Sequence, residues 1–128
     1  MSVLSGYELG WLVGILEGEG HFGIYTSQVI EVNMTDEDTV YKVASMYERI
    51  LDLPINVTAI QKSQGKDVYC ARIYGERARI IMHLVVSHMS YRRRQTIWRC
   101  LNGYKAPKVD IVKLLGLNEQ LISNGEDK

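Results

Sequence analysis

The chain has 128 residues, of which 46% are hydrophobic and 23% charged, the composition of a soluble globular protein forming one domain over residues 1–128. The longest apolar stretch near the start, 11–16, is too short to cross a bilayer and follows no basic residues, so we expect neither a membrane span nor a secretory signal. Cys70 and Cys100 are too few for a disulfide framework or a zinc site, and we expect two semi-buried thiols in a reducing cytoplasm.

A helix is predicted over 7–18, with Ser5 as its N-cap and Glu8 completing a capping box. A β-hairpin follows, with strands over 21–25 and 29–34. Alternation places the apolar residues of this hairpin on one face, namely Phe22, Ile24, Ile30, Val32 and Met34. The other face then carries His21, Tyr25, Glu31 and Asn33.

A second helix is predicted from a cap at Thr35 or Asp36 to Leu51, and Pro54 prevents its continuation. Two β-rich segments, 55–62 and 67–74, flank a turn in which Gly65 allows a positive φ. Further helices are predicted over 76–86, 91–101 and 108–122, before a polar, frayed tail over 123–128. This order predicts an α+β fold: an αββαββα core with one four-stranded antiparallel sheet and helices on one face.

The net charge is zero, but the charges are unevenly divided. Residues 1–64 hold three basic against nine acidic residues, whereas residues 65–128 hold twelve against six. The division indicates a basic surface contributed mainly by the second half, as in proteins that bind nucleic acid. A solvated face without any partner is the alternative that charge alone leaves open.

The first helix carries a glycine every four residues, at Gly10, Gly14 and Gly18. An interior glycine costs a helix about 1 kcal/mol relative to alanine, so helix propensity does not explain them. At this spacing the glycines share one face, which allows very close approach of another helix. That helix belongs either to a second copy of the chain or to the same monomer, and the spacing leaves both open.

Glu17 and Glu19 fall at the C-terminal end of the same helix, where the dipole disfavours negative charge and a cation would relieve it. If a second copy packs on the glycine face, the two Glu19 side chains meet near the two-fold axis. Two carboxylates together with backbone carbonyls form a hard-oxygen site suited to magnesium. Isolated exposed glutamates are more often simply solvated, so this arrangement is a hypothesis.

Residues 12–20, Leu-Val-Gly-Ile-Leu-Glu-Gly-Glu-Gly, resemble the LAGLIDADG motif of homing endonucleases position for position. The segment keeps the leucine, both glycines and both acidic positions, and the flanking Trp11 and Phe22 also fit the family. The predicted element order matches the family's core fold, so the resemblance covers about residues 5–102. Glu at both acidic positions departs from the pattern, as does His21 where a small residue is common.

The resemblance implies that Glu19 is the metal-binding catalytic acid, that the Gly18 carbonyl joins it, and that Glu17 braces the helix end. It implies a further catalytic role for Asp36, which organises water, although Asp36 also fits a plain N-cap. The family's basic catalytic residue falls in the arginine run of 91–95, with Arg92 as the best match and Arg94 second. Arginine holds phosphate but does not act as a base, so a simple phosphate clamp stays open for this run.

The resemblance also implies that the strands form a DNA-reading surface, because a two-stranded ribbon fits the major groove. Arg72 is the strongest candidate for a guanine contact, and Asn33 is a candidate for adenine. Lys62, Gln64 and Lys66 are predicted to hold phosphates. The outward positions given by alternation are His21, Tyr25, Glu31, Asn33, Asn56, Thr58, Lys62, Val68, Cys70, Arg72 and Tyr74, and Arg93 is added as a DNA-binding residue from the arginine run.

These features together predict a homing endonuclease: a homodimer joined through Gly10, Gly14 and Gly18 that cuts double-stranded DNA with Mg²⁺, for which Mn²⁺ substitutes. We expect no membrane partner and no small-molecule substrate, and a location in the cytoplasm or in the organelle or infected cell that holds the target DNA. The main alternative is a catalytically inactive protein of the same fold that binds DNA or RNA, of the maturase or transcription-regulator type. A purely structural dimerisation domain is a third reading, but it leaves the outward polar strand residues unexplained.

Overall fold

The computed structural model describes residues 4–62 and 64–103, which form four α-helices, one 3-10 turn and a four-stranded antiparallel sheet, an α+β fold. The predicted αββαββα order followed by a helix near 91–101 is confirmed. The predicted helix over 108–122 and the tail over 123–128 lie outside the described residues. The elements, in chain order, are α1 (Gly6–Glu19), β1 (Gly20–Ile24), β2 (Gln28–Met34), α2 (Glu37–Leu51), β3 (Val57–Ile60), β4 (Val68–Tyr74), α3 (Gly75–Val85), the 3-10 turn (Val86–His88) and α4 (Tyr91–Asn102).

The sheet has the strand order β1-β2-β4-β3, and β3 pairs antiparallel with β4 so that Thr58 lies opposite Cys70. Strand β3 is shorter than the predicted 55–62. The Ile55 N–H donates to a Glu48 carboxylate oxygen at 2.9 Å, which ties this residue to the end of α2 instead of to a neighbouring strand. Gly65, in the turn between β3 and β4, has φ +90° as predicted.

Two compact units make up the described chain, and the first contains residues 4–21 and 30–73. Helix α1 begins with the predicted capping box: Ser5 N–H donates to Glu8 Oε1 at 2.8 Å, and Glu8 N–H donates to Ser5 Oγ at 3.1 Å. Glu8 also pairs with Arg49 of α2, and this contact, with the Ser5 N–H, lowers the pKa of Glu8 to about 2. Side chains buried in this unit include Leu12, Leu16, Ile30, Val32, Val40, Val43, Tyr47 and Ile73.

The second unit contains residues 22–29 and 74–103. Gly75, the first residue of α3, has φ +61°, a left-handed conformation that favours glycine. Ser90 caps α4 by accepting from the Arg93 N–H at 3.4 Å. Apolar side chains buried in this unit include Phe22, Val29, Ala78, Ile81, Met82, Val85 and Ile97. None of the described helices has both the length and the apolar character needed to cross a membrane.

The predicted alternation of inward and outward residues is wrong at two positions of the first hairpin and at one position of β4. Ile24, predicted inward, is 39% exposed because it ends β1 at the turn. Glu31, predicted outward, is only 7% exposed because the Arg72 side chain pairs with it. Cys70, also predicted outward, is 3% exposed, and burial raises the pKa of its thiol. Both cysteines are free, and at 3% and 6% exposed they are more buried than the semi-buried thiols that the sequence predicts.

Candidate active site and nucleic-acid interface

Helix α1 has one buried face and one open face. Leu12 and Leu16, four residues apart, are fully buried. Gly10, Gly14 and Gly18 are exposed, and a Cβ built at any of them meets no described atom outside the helix's own neighbourhood within 4 Å. Tight packing of the glycine face inside the monomer, one of the two alternatives that the sequence left open, is therefore wrong for the described residues.

Gly20 joins α1 directly to β1, and sequence reasoning assigned it no role. Its N–H donates to the Leu16 carbonyl, and its φ of −76° and ψ of 143° are already extended. A Cβ at this position would lie 2.6 Å from the Leu16 carbonyl oxygen and 3.0 Å from the Leu16 Cα. A helix that passes into a strand without a loop brings the two backbones this close, so the position requires glycine. A glycine directly between a predicted helix and strand is the signal that indicates it.

Glu19 is the last residue of α1 and is exposed, and the last turn of the helix holds no basic residue. The final carbonyls of a helix have no partners within the helix, and they carry its negative dipole end. An exposed carboxylate beside such carbonyls is a donor set that fits a hard divalent cation such as Mg²⁺. Across residues 4–62 and 64–103, no three His, Cys, Asp or Glu side chains are grouped for a metal. A cation held by Glu19 and the Gly18 carbonyl thus needs water, phosphate or a second chain to complete its ligands.

Asp36 follows β2 and is the N-cap residue of α2 by position. Its side chain makes no capping bond to the helix backbone, and instead Asp36 Oδ2 accepts a hydrogen bond from the Thr39 hydroxyl. Asp36 is therefore the N-cap residue of α2, as the plain N-cap alternative predicts, but its side chain does not form the capping hydrogen bond. The carboxylate is exposed two residues after the end of β2, at the position for which the family resemblance implies a residue that organises water.

Three arginines occupy the first turn of α4, and they differ in exposure. Arg92 is exposed. Arg93 is half-buried, with its guanidinium carbon 5.7 Å from the Phe22 ring centroid. Arg94 is half-buried and donates to the Met89 carbonyl at 3.1 Å. No acidic residue accompanies them in this turn, so cationic side chains and the positive end of the helix dipole lie together, as in sites that bind phosphate.

The DNA-reading candidates lie mostly at exposed positions. Arg72 is 43% exposed at its side chain and pairs with Glu31, its Nε donating to Glu31 Oε2 at 2.5 Å. Tyr25 and Tyr74 are 67% and 57% exposed, and Tyr7, Tyr41 and Tyr91 are exposed as well. The remaining exposed candidates are His21, Asn33, Lys62 and Lys66; Lys62 lies beyond the end of β3, in the turn segment.

A buried polar network in the second unit was not predicted. Gln28 is fully buried, donates through Nε2 to the Cys100 carbonyl at 3.0 Å, and accepts from Arg79 Nη1 at 2.9 Å. His83 is 6% exposed and its Nδ1 has no hydrogen-bond partner among the described residues. Its ring meets the Trp98 ring edge-on at 6.3 Å, and burial, with nearby Arg79, lowers its pKa. These residues fix the start of β2 against α3 and α4, and we assign them a structural role.

No protein-family model matches this sequence, and no curated protein matches it.

Proposed function

We propose that the chain is one subunit of a homodimeric, divalent-metal-dependent endonuclease of the LAGLIDADG type that cuts double-stranded DNA. One observation carries the proposal: α1 buries a leucine face, no residue of 4–62 or 64–103 covers its glycine face, and it ends in an exposed Glu19. A monomer gains nothing from glycines on an exposed helix face, since each lowers helix stability. A second helix packed closely on that face gives them a purpose.

A symmetric pair of α1 helices accounts for the acidic end of the helix as well. In a two-fold interface the same surface faces itself, so residues near the axis occur twice and close together. Two Glu19 carboxylates would then converge at the helix ends, which costs energy unless a cation lies between them. The proposed dimer and the proposed metal site thus support each other.

The roles of the site residues follow from their chemistry. Glu19 and the Gly18 carbonyl would hold Mg²⁺, which when bound supplies an activated water and neutralises charge on the scissile phosphate. Arg92 holds the phosphate through its charged fork and stabilises the negative charge that develops on it, without accepting a proton. Asp36 accepts hydrogen bonds and orients water. Arg94 supports the same phosphate from the next position along the arginine run.

DNA binding is assigned to the sheet and to the basic residues around it. His21, Asn33 and Arg72 supply outward side chains for base edges, and Tyr25 and Tyr74 supply exposed aromatic surface. Lys62, Lys66 and Arg93 supply positive charge for phosphates. Each subunit would contact one half of the DNA target, so the full target is approximately two-fold symmetric.

Glu19→Gln is the decisive variant, because it keeps the shape of the side chain and removes the charge that holds the ion. We expect folding, dimerisation and DNA binding in calcium to persist and cleavage of a plasmid target library in magnesium to disappear. Glu17→Gln is the matched control, since it removes a carboxylate from the same helical turn at a half-buried position. We expect this control to retain cleavage.

The contrary results separate enzyme from binding protein. Cleavage by Glu19→Gln at the wild-type rate would remove Glu19 from the reaction. Wild-type protein that binds a defined site but never cuts it with magnesium or manganese would leave a DNA-binding regulator of the same fold.

A further inference from the structure

A polar cluster crosses three strands of the first unit, on the surface assigned to DNA. It consists of Glu31 on β2, Arg72 and Cys70 on β4, and Thr58 on β3. Cys70 and Arg72 share a face because they are two residues apart on one strand, and Thr58 lies opposite Cys70 in register. Burial raises the pKa of the Cys70 thiol, and neighbouring Arg72 and Thr58 partly offset that rise.

Within this cluster Glu31 and Arg72 are unequally exposed. The Glu31 side chain is 9% exposed, whereas that of Arg72 is 43% exposed. A carboxylate this buried reads no base directly, because a base edge cannot reach most of it. Burying a carboxylate is unfavourable unless a cation accompanies it, and Arg72 supplies that cation. The pair therefore has a buried inner member and a more exposed outer member.

The contact uses a particular edge of the guanidinium. Arg72 Nε donates to Glu31 Oε2 at 2.5 Å, and Arg72 Nη2 pairs with the same oxygen. Nε and Nη2 lie on the side edge of the planar fork. The terminal edge of the same fork carries two parallel N–H groups, one on each terminal nitrogen, and this is the geometry that matches guanine O6 and N7. Holding the side edge fixes the plane and direction of the terminal edge.

We propose that Glu31 is a positioning residue that orients Arg72 for bidentate recognition of one guanine in each half-site. The inference rests on the proposed DNA-binding function. Arginine loses side-chain rotamer freedom when it binds a base, and a carboxylate that already restricts the rotamers reduces this loss. Glu31 acts through Arg72 and contacts no base itself.

The test is selection of preferred targets from a randomised DNA library in calcium, for wild type, Glu31→Ala, Glu31→Gln, Arg72→Ala and the Glu31/Arg72 double alanine variant. We expect wild type to prefer guanine at one position per half-site by about 5- to 150-fold over the other bases. Arg72→Ala and Glu31→Ala should both reduce that preference at the same position. The double variant should lose no more of the guanine preference than Arg72→Ala alone, because Glu31 and Arg72 act together as one pair.

Glu31→Gln should keep part of the guanine preference, since its amide oxygen still accepts from Arg72. Arg49→Ala is the matched control: it breaks the Glu8 ion pair between two helices and should leave the selected sequence unchanged. Thermal melting of each variant identifies those whose fold is damaged. If Glu31→Ala is among them, the guanine preference of Glu31→Gln is compared with that of wild type instead.

The outcomes separate this inference from the proposed function. A wild-type protein that selects no sequence overturns the proposed function and this inference with it. Where wild type selects a site, a Glu31→Ala variant that keeps the full guanine preference, or weakens binding to all sequences equally, overturns the role of Glu31 alone. A Glu31/Arg72 double variant whose losses add would show two independent contacts and would also overturn it.

Discussion

The two compact units carry opposite charge. The described residues of 4–21 and 30–73 include ten acidic and five basic residues, whereas residues 22–29 and 74–103 include six arginines, no lysine and the single acid Glu76. Arginine is less strongly hydrated than lysine and binds phosphate through a planar fork, so the described part of the second unit, whose lysine and arginine positions are all arginine, suits direct phosphate contact. The acidic unit holds Glu19, Glu31 and Asp36. In the proposed enzyme, the first unit supplies the metal ligands, base recognition and the phosphate contacts of Lys62 and Lys66, and the second unit supplies arginines for phosphate.

This contrast explains why the zero net charge is no argument against DNA binding. Phosphate contacts depend on local positive charge, and counterion release follows the number of such contacts. Carboxylates elsewhere in the chain serve other purposes: Glu8 and Glu31 are each paired with an arginine of the same unit. Only the distribution of charge among the units is informative.

The largest expected effect tests the open glycine face of the acidic unit. Gly14→Leu places a four-carbon side chain at a position where the described monomer offers open space, so the monomer should still fold. The close approach of a second helix would be blocked, and the variant should sediment as a monomer without cleavage activity. Ser45→Leu adds leucine at an exposed position of α2 and should remain dimeric. A dimeric Gly14→Leu would place the interface elsewhere.

A smaller effect is expected in the arginine unit. Arg92→Ala should slow cleavage by about a hundredfold if the guanidinium stabilises charge in the transition state, while binding in calcium falls much less. Arg99→Ala, at an exposed position of the last turn of α4, should change the cleavage rate and the DNA affinity less than Arg92→Ala does. The measurement is single-turnover cleavage beside gel-shift titration. Equal losses in cutting and binding for Arg92→Ala would reduce its role to that of a phosphate clamp.

Local signals predicted most of the fold from the sequence. The Ser5–Glu8 capping box depends only on residues three apart, and the alternation of Phe22 and His21 depends on strand geometry, so both were correct. The exposed position of Glu19 at the end of α1 also follows from local sequence. Whether the glycines faced the monomer core did not, because that depends on where the other helices pack.

Ile24 is exposed for a local reason, its place at the turn, but other errors arose where residues far apart in the sequence meet. Glu31 is buried because Arg72, forty-one positions later, folds over it. The Gln28 side chain reaches the Cys100 carbonyl seventy-two positions away, and no periodicity in the sequence links the two. Gly20 has a different reason: its need for glycine comes from a helix and a strand meeting without a loop, and the sequence predicts the helix to end at residue 18, one residue before its observed end at Glu19.

The smallest expected effect concerns the pH dependence of the unfolding free energy. One titrating group in each unit, His83 or Glu8, lowers this free energy in its own pH range. In the arginine unit, burial lowers the pKa of His83 below its ordinary 6.5, so the unfolded chain takes up a proton before the folded chain does. The contribution of neutral His83 is complete above pH 6.5 and is lost as pH falls below it. In the acidic unit, Arg49 and the Ser5 N–H hold the pKa of Glu8 near 2 against an ordinary 4.5. That contribution is complete above pH 4.5 and is lost as pH falls toward 2.

The two acid ranges can be separated with one variant for each unit. His83→Phe keeps a ring beside Trp98 and removes the titrating group, so it should flatten the decline in unfolding free energy between pH 7 and 5 and leave the decline below 4.5 intact. Glu8→Gln should flatten the decline below pH 4.5 and leave the decline between pH 7 and 5 intact. The effect should be small, because the Glu8–Arg49 ion pair is partly exposed to water. Urea unfolding at a series of pH values measures both slopes, and each variant is the control for the other. If His83→Phe retains the wild-type slope between pH 7 and 5, the acid sensitivity of the arginine unit has another source, because the phenylalanine ring takes up no proton.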